Sequence, residues 1–182
     1  MGIHPTPSKL PDCSGGTMNA ALLVIDVQKM FFQDNPRGAE ELRIASEYIN
    51  AAIDLFREKD LPVICVQHMN PEDNLLPGQE GFDVPEALKI APSDLHIHKT
   101  YGNAFNKTEL AEKLRALGVD TLILTGFAAE GCVTSTYRGA EDLDLVPILL
   151  RGSLIGGKPD VVPFVETTNE IISYYALKKV LE

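Results

Sequence analysis

The sequence predicts an α/β domain built on a parallel sheet. Short, unbroken apolar runs of strand length recur along the chain. They alternate with stretches whose apolar residues repeat every three or four positions, the helical period. Polar, chemically capable residues stand where several of the runs end, as they do when strand ends line up along one rim. The chain has 182 residues, 45% of them apolar and 23% charged, which suits one domain with a sizeable core.

The first strand is the run Ala20–Ile25, apolar throughout and therefore buried on both faces, with Asp26 at its end. A helix follows over Gly38–Lys59, where Leu42, Ala45, Ile49, Ala52, Ile53 and Phe56 form one stripe. The second strand is Pro62–Val66, ending near Gln67 and His68. Met69–Pro92 is irregular and rich in Pro, Gly, Asn and Asp, the composition of a long functional loop. Leu95–His98 is a weaker, alternating third strand, in which His96 and His98 share one side. Thr108–Leu117 reads as a helix stopped by Gly118, and Thr121–Leu124 as the fourth strand. The next helix is expected over Gly131–Leu143 and the fifth strand over Leu145–Leu150, where Pro147 favours a strand start, a bulge or an edge. A last helix is expected over Glu166–Ala176 and a short sixth strand over Lys179–Leu181.

Composition narrows the function. There are 16 basic and 26 acidic residues, a formal net charge of −10, which disfavours nucleic acids and anionic membranes as partners. The three cysteines, Cys13, Cys65 and Cys132, have neither a disulfide framework nor zinc-knuckle spacing, so a reducing, cytoplasmic setting is expected. No apolar run approaches a membrane span. Residues 1–18 read as a flexible leader, with Met18 a candidate alternative start, and 19–182 as the single folded domain.

The chemistry centres on Cys132. It follows an apolar strand and a glycine-bearing turn, where a helix should begin. A helix N-terminus offers unpaired N–H groups and partial positive charge, which favour thiolate over thiol. Asp26 after the first strand and Lys99 after the third should reach the same rim. Asp26 can accept the thiol proton, and Lys99 can stabilise the resulting charges. Backbone N–H groups at the helix head, including that of Cys132, can receive the oxyanion of a carbonyl under attack. Taken singly, each has a structural reading: a buried inert cysteine, a capping aspartate, a solvated lysine.

Three segments together resemble the isochorismatase-like cysteine hydrolases, the family of nicotinamidases, N-carbamoylsarcosine amidase and isochorismatase. They are Ala21–Gln28 around Asp26, Lys99–Phe105 with Thr108 and Leu110 beyond it, and Thr125–Thr136 around Cys132. The resemblance implies a three-layer, doubly wound sheet of six parallel strands in the order 3-2-1-4-5-6. It implies Asp26 as base, Lys99 as electrostatic partner and Cys132 as nucleophile. It further implies a cis peptide between Phe127 and Ala128, an oxyanion hole from the Ala128 and Cys132 N–H groups, and a homo-oligomer. His68, Tyr101, Phe105 and Glu130 are the substrate-binding candidates, and Phe82 joins Phe105 as a candidate apolar wall. The expected reaction is hydrolysis of a small amide, carbamoyl or ureido C–N bond through a thioester, with no cofactor and no metal.

Several positions depart from the family pattern. Asn103 replaces a usual serine and Ala129 a usual threonine, and Gly152 falls about where an aspartate is common. His68 and Asn70 stand where nicotinamidases carry an Asp-x-His metal pair, leaving a metal role for His68 with His96 or His98 as an alternative to a structural or substrate-facing one. Glu130 either favours a helix start by its charge or recognises a cationic or N–H group. Other readings of the whole are a vinyl-ether hydrolase of the isochorismatase type, a catalytically silent binding module, and a redox-sensing thiol.

Overall fold

The computed structural model describes residues 18–182, so the expected leader, with Cys13, lies outside the described residues apart from Met18. Six strands form one sheet: β1 (Ala20–Ile25), β2 (Val63–His68), β3 (Leu95–Lys99), β4 (Thr121–Gly126), β5 (Val146–Leu154) and β6 (Ile171–Ile172). All pairings are parallel and the order is β3-β2-β1-β4-β5-β6, as the resemblance implies. The chain winds outward from β1 in one direction and returns to wind outward from β4 in the other. Strand order therefore reverses between β1 and β4, and a crevice opens at their carboxyl ends.

Alternation along the strands builds two cores. Leu23 and Ile25 of β1, Ile64 and Val66 of β2, Ile97 of β3 and Leu124 of β4 face one side. There they pack against α2 (Leu110–Ala116), α3 (Thr134–Glu141) and α4 (Val161–Thr167) through Leu110, Leu114, Val133, Tyr137, Ala140 and Val165. Leu22, Val24, Val63 and Ile123 face the other side, against α1 (Pro36–Glu58) and α5 (Tyr174–Val180). The stripe of α1 does most of that covering, with Ile49, Ala52, Ile53 and Phe56 wholly buried. Each large side chain so buried contributes about 1.5–3 kcal/mol. The helix starts two residues before Gly38 because Asn35 caps it, accepting the Gly38 N–H, and Pro36 fits its first turn.

The last third of the chain departs from expectation. The expected helix over Glu166–Ala176 is divided: α4 ends at Thr167, β6 is Ile171–Ile172, and α5 begins at Tyr174. The sixth strand is therefore not Lys179–Leu181, whose first two residues end α5. A two-residue strand has no periodicity to read, and the Ser173 side chain caps α5 by accepting the Ala176 N–H at 3.3 Å. Pro147 is the second residue of β5, ahead of the point where β6 joins at Leu149, so its missing N–H leaves no gap. Strand β5 runs on to Leu154 through an irregularity: Leu124 pairs with Leu149, but Gly126 pairs with Leu154.

Gly126 closes the crevice floor. Its φ is +110°, and a Cβ there would stand 2.1 Å from the Ile25 carbonyl oxygen. Only glycine lets β1 and β4 approach this closely where the site begins. Gly126→Ala should lower the free energy of unfolding by about 3 kcal/mol, measured by urea denaturation.

Candidate active site

The three expected catalytic residues converge. Ile64, Val66 and His68 alternate along β2, and Leu95, Ile97 and Lys99 along β3, so His68 and Lys99 leave the same face in register. Asp26 follows β1 with φ +51°, and its carboxylate meets Lys99 on that face. Lys99 Nζ donates to Asp26 Oδ2 at 2.6 Å, and both side chains are buried, at 0% and 2% exposure. Asp26 Oδ1 is buried with no hydrogen-bond partner among the described residues. A carboxylate oxygen of Asp26, a ring nitrogen of His68 and Cys132 Sγ lie within 4.8 Å of one another.

Cys132 does not stand at the first turn of a regular helix. It lies in a wide turn, Ala129–Val133, broken at Gly131 (φ −109°, ψ −105°), and α3 begins only at Thr134. The Ala128 carbonyl accepts from both Gly131 and Val133, so part of the expected donor array is already used. The electrostatics reverse the thiolate expectation. Burial, reinforced by the Asp26 charge, pushes the Cys132 thiol up to about 11, against the smaller pull of Lys99. At rest Cys132 is therefore a thiol beside a carboxylate. Burial also raises Asp26 above the usual carboxylate range, while Lys99 and the Cys132 thiol oppose that rise. A carboxylate with raised proton affinity is a better general base near neutral pH.

Of the oxyanion-hole candidates, Ala128 precedes the turn and Cys132 lies within it, and the Phe127–Ala128 peptide is cis. No hydrogen-bond acceptor engages the Ala128 N–H among the described residues. Phe105 is partly buried and packs against the core. Tyr101 is 40% exposed, and its hydroxyl accepts from Lys107. Glu130 is committed: its Oε2 accepts the Gly157 N–H at 3.1 Å. Phe82 is buried against the edge of His98, on the face opposite Lys99, and does not wall the sulfur.

The histidines separate for the same reason. His96 contacts Gln67 Oε1 and the Ala91 carbonyl, and His98 meets Phe82, both across the sheet from His68. A metal pair of His68 with either is thereby excluded. The donor set that does converge is Asp26, His68 and Cys132, but the Lys99 ammonium lies 2.6 Å from the first and 3.4 Å from the second. Its charge opposes a cation there.

Some residues of the site escaped the sequence reading. Gln28, wholly buried, takes the His68 N–H on its Oε1 at 2.7 Å and donates to the His68 carbonyl at 3.0 Å. It also donates to the Phe82 carbonyl, as Gln67 does, so two glutamines anchor the long loop. The segment after β5 runs beside the turn that carries Cys132, where the Ala129 N–H donates to the Ile155 carbonyl and Gly157 approaches Ala128. Arg37 donates to the Gly156 and Gly157 carbonyls, and Glu41 accepts the Gly156 N–H. Gly152 itself lies under the Tyr48 ring, at φ +84°. Asn103 fits against Gly139 of α3, where a Cβ would stand 2.3 Å from its amide nitrogen. That contact ties the lysine segment to the helix that follows Cys132. A glutamine two residues after the strand-end aspartate was the one available sign of the Gln28 clamp.

The isochorismatase domain family matches residues 20–152. The chain belongs to the isochorismatase family. It is 34% identical over 126 residues to the isochorismatase family protein YrdC of Bacillus subtilis, covering 68% of this chain and 66% of that protein. It is 33% identical over 85 residues to the ureidoacrylate amidohydrolase RutB of Caulobacter vibrioides, covering 47% of this chain and 38% of that protein. The chain thus spans about two thirds of the first relative's length and well under half of the second's. An isochorismatase-like hydrolase from Alkaliphilus metalliredigens has the same fold, with a TM-score of 0.82 and 19% identity over 92% of this chain and 99% of the other. Among the described residues no helix is long and apolar enough to cross a membrane.

With the thiol neutral at rest, alkylation of Cys132 by iodoacetamide should accelerate steadily from pH 7 to pH 9.5, without a plateau, when followed by intact mass. Asp26→Asn removes the charge that adds to the effect of burial on the thiol, so its profile should move to lower pH.

Proposed function

We propose that this isochorismatase-family hydrolase cleaves a small amide, carbamoyl or ureido C–N bond through a thioester on Cys132. The observation that carries the reading is the buried Asp26–Lys99 ion pair set against the thiol. Its likeness to a protein named as a ureidoacrylate amidohydrolase adds support for the ureido class.

In acylation, Asp26 takes the thiol proton as Sγ attacks the carbonyl carbon. Coupling the two events avoids a free thiolate in a site that disfavours one. The tetrahedral oxyanion is held by the Ala128 and Cys132 N–H groups. Protonated Asp26 then gives its proton to the leaving nitrogen, the C–N bond breaks, and the thioester remains. In deacylation Asp26 takes a proton from water, whose oxygen attacks the thioester, and the departing sulfur recovers the proton. Lys99 holds Asp26 in place throughout and supplies the positive charge that keeps its carboxylate available in a buried setting. Tyr48 of α1 and Tyr175 of α5, exposed side by side on one face, favour a homo-oligomer.

A panel of small primary amides, N-carbamoyl compounds and ureido acids, read by ammonia release, tests the reading. At least one member should turn over, and Cys132→Ala should lower its rate by about a thousandfold or more. Quenching during turnover should give an acyl adduct on Cys132 by mass. Full activity in Cys132→Ala would overturn the thioester route.

A further inference from the structure

We propose that His68 determines substrate specificity: Lys99 fixes its imidazole as the tautomer protonated on Nε2, and that N–H selects substrates with a second acceptor oxygen adjacent to the scissile carbonyl. The acceptor is a carbonyl or a carboxylate oxygen. The inference rests on the hydrolase reading above and deepens it.

Lys99 Nζ lies 3.4 Å from His68 Nδ1. An ammonium has three donors and no lone pair, so the contact is favourable only when Nδ1 is bare. A neutral imidazole with a bare Nδ1 carries its proton on Nε2. Burial first, and then the Lys99 charge, lower the proton affinity of His68, so the ring is neutral at neutral pH despite the smaller opposing pulls of Asp26 and Asp73.

The Nε2–H has no partner among the described residues, and the ring is only half-buried. The backbone that carries it is clamped on both its N–H and its carbonyl by Gln28. The ring therefore presents a fixed donor beside the nucleophile. One ring nitrogen lies within 4.8 Å of Sγ, so either nitrogen of the small ring stands within about 7 Å of the sulfur, a span that a substituent on the carbon under attack covers. The other polar candidates are engaged, Glu130 with Gly157 and Tyr101 with Lys107. An acceptor next to the scissile carbonyl satisfies the donor, whereas an alkyl group strips it of water and leaves it unpaired.

The test compares oxamide and oxamate, which carry the adjacent acceptor as a neutral carbonyl and as a carboxylate, with propionamide, which lacks it. Wild type should favour at least one of the first two by about tenfold or more in kcat/KM. Which of them gains tells the carbonyl from the carboxylate. His68→Gln places an amide near Nε2 and should keep the preference. His68→Asn places its amide near Nδ1 and should lose it, mainly through KM. The 15N spectrum of the histidines should show His68 bare at Nδ1 and protonated at Nε2, with shifts on adding the preferred oxamide or oxamate and none with propionamide. An Nδ1–H tautomer, no discrimination by wild type, or an equal loss on all three amides in His68→Asn would overturn the proposal. Should no amide or ureido compound turn over, the hydrolase reading fails on its own. The His68 shift then still decides: a selective shift with oxamide or oxamate supports donor recognition, and its absence refutes it.

Discussion

A single buried ion pair organises this molecule. Lys99 reaches from the end of an edge strand, past β2, to the carboxylate of Asp26 at the end of the central β1. Two charges removed from water are costly unless they meet, and here they meet at 2.6 Å. That requirement fixes the register of three strands at their carboxyl ends and makes the rim a rigid platform. The remaining carboxylate oxygen has no partner among the described residues, which leaves it free for the proton moved in the proposed reaction.

The same burial explains the state of the sulfur. Partial positive charge at a helix start would make Cys132 a standing thiolate only if the helix began there and the base beside it were neutral. Neither condition holds. The helix begins later, its early donors are partly spent on Ala128, and Asp26 is a nearby negative charge. A neutral thiol that surrenders its proton only as it bonds to carbon is less exposed to stray oxidation or alkylation than a standing thiolate. On the proposed route the site trades a high resting nucleophilicity for control by Asp26.

Much of this was legible in the sequence because the signals were local and strong. Four unbroken or nearly unbroken apolar runs placed β1, β2, β4 and β5, and the stripe from Leu42 to Phe56 placed α1. Asp26, Lys99 and Cys132 could be joined because strand ends of a parallel sheet share one rim. What was not legible depends on tertiary contact. Ile171–Ile172 becomes a strand only because β5 offers it an edge. Gln28 becomes a clamp only because the end of β2 lies beside it. The separation of His68 from His96 and His98 follows from strand alternation across a pairing register that no single segment discloses. The committed state of Glu130 depends on a glycine loop far along the chain.

Asp26 and Lys99 are held to act as one unit upon the thiol. The most direct measurement is a double-mutant cycle on kcat with Asp26→Asn, Lys99→Met and both together, using whichever amide or ureido compound the enzyme turns over. Acting as a unit, the two residues should give a double variant no slower than the worse single one, within about threefold. Losses that multiply would mean that the carboxylate and the ammonium work independently, which would contradict their acting as a unit.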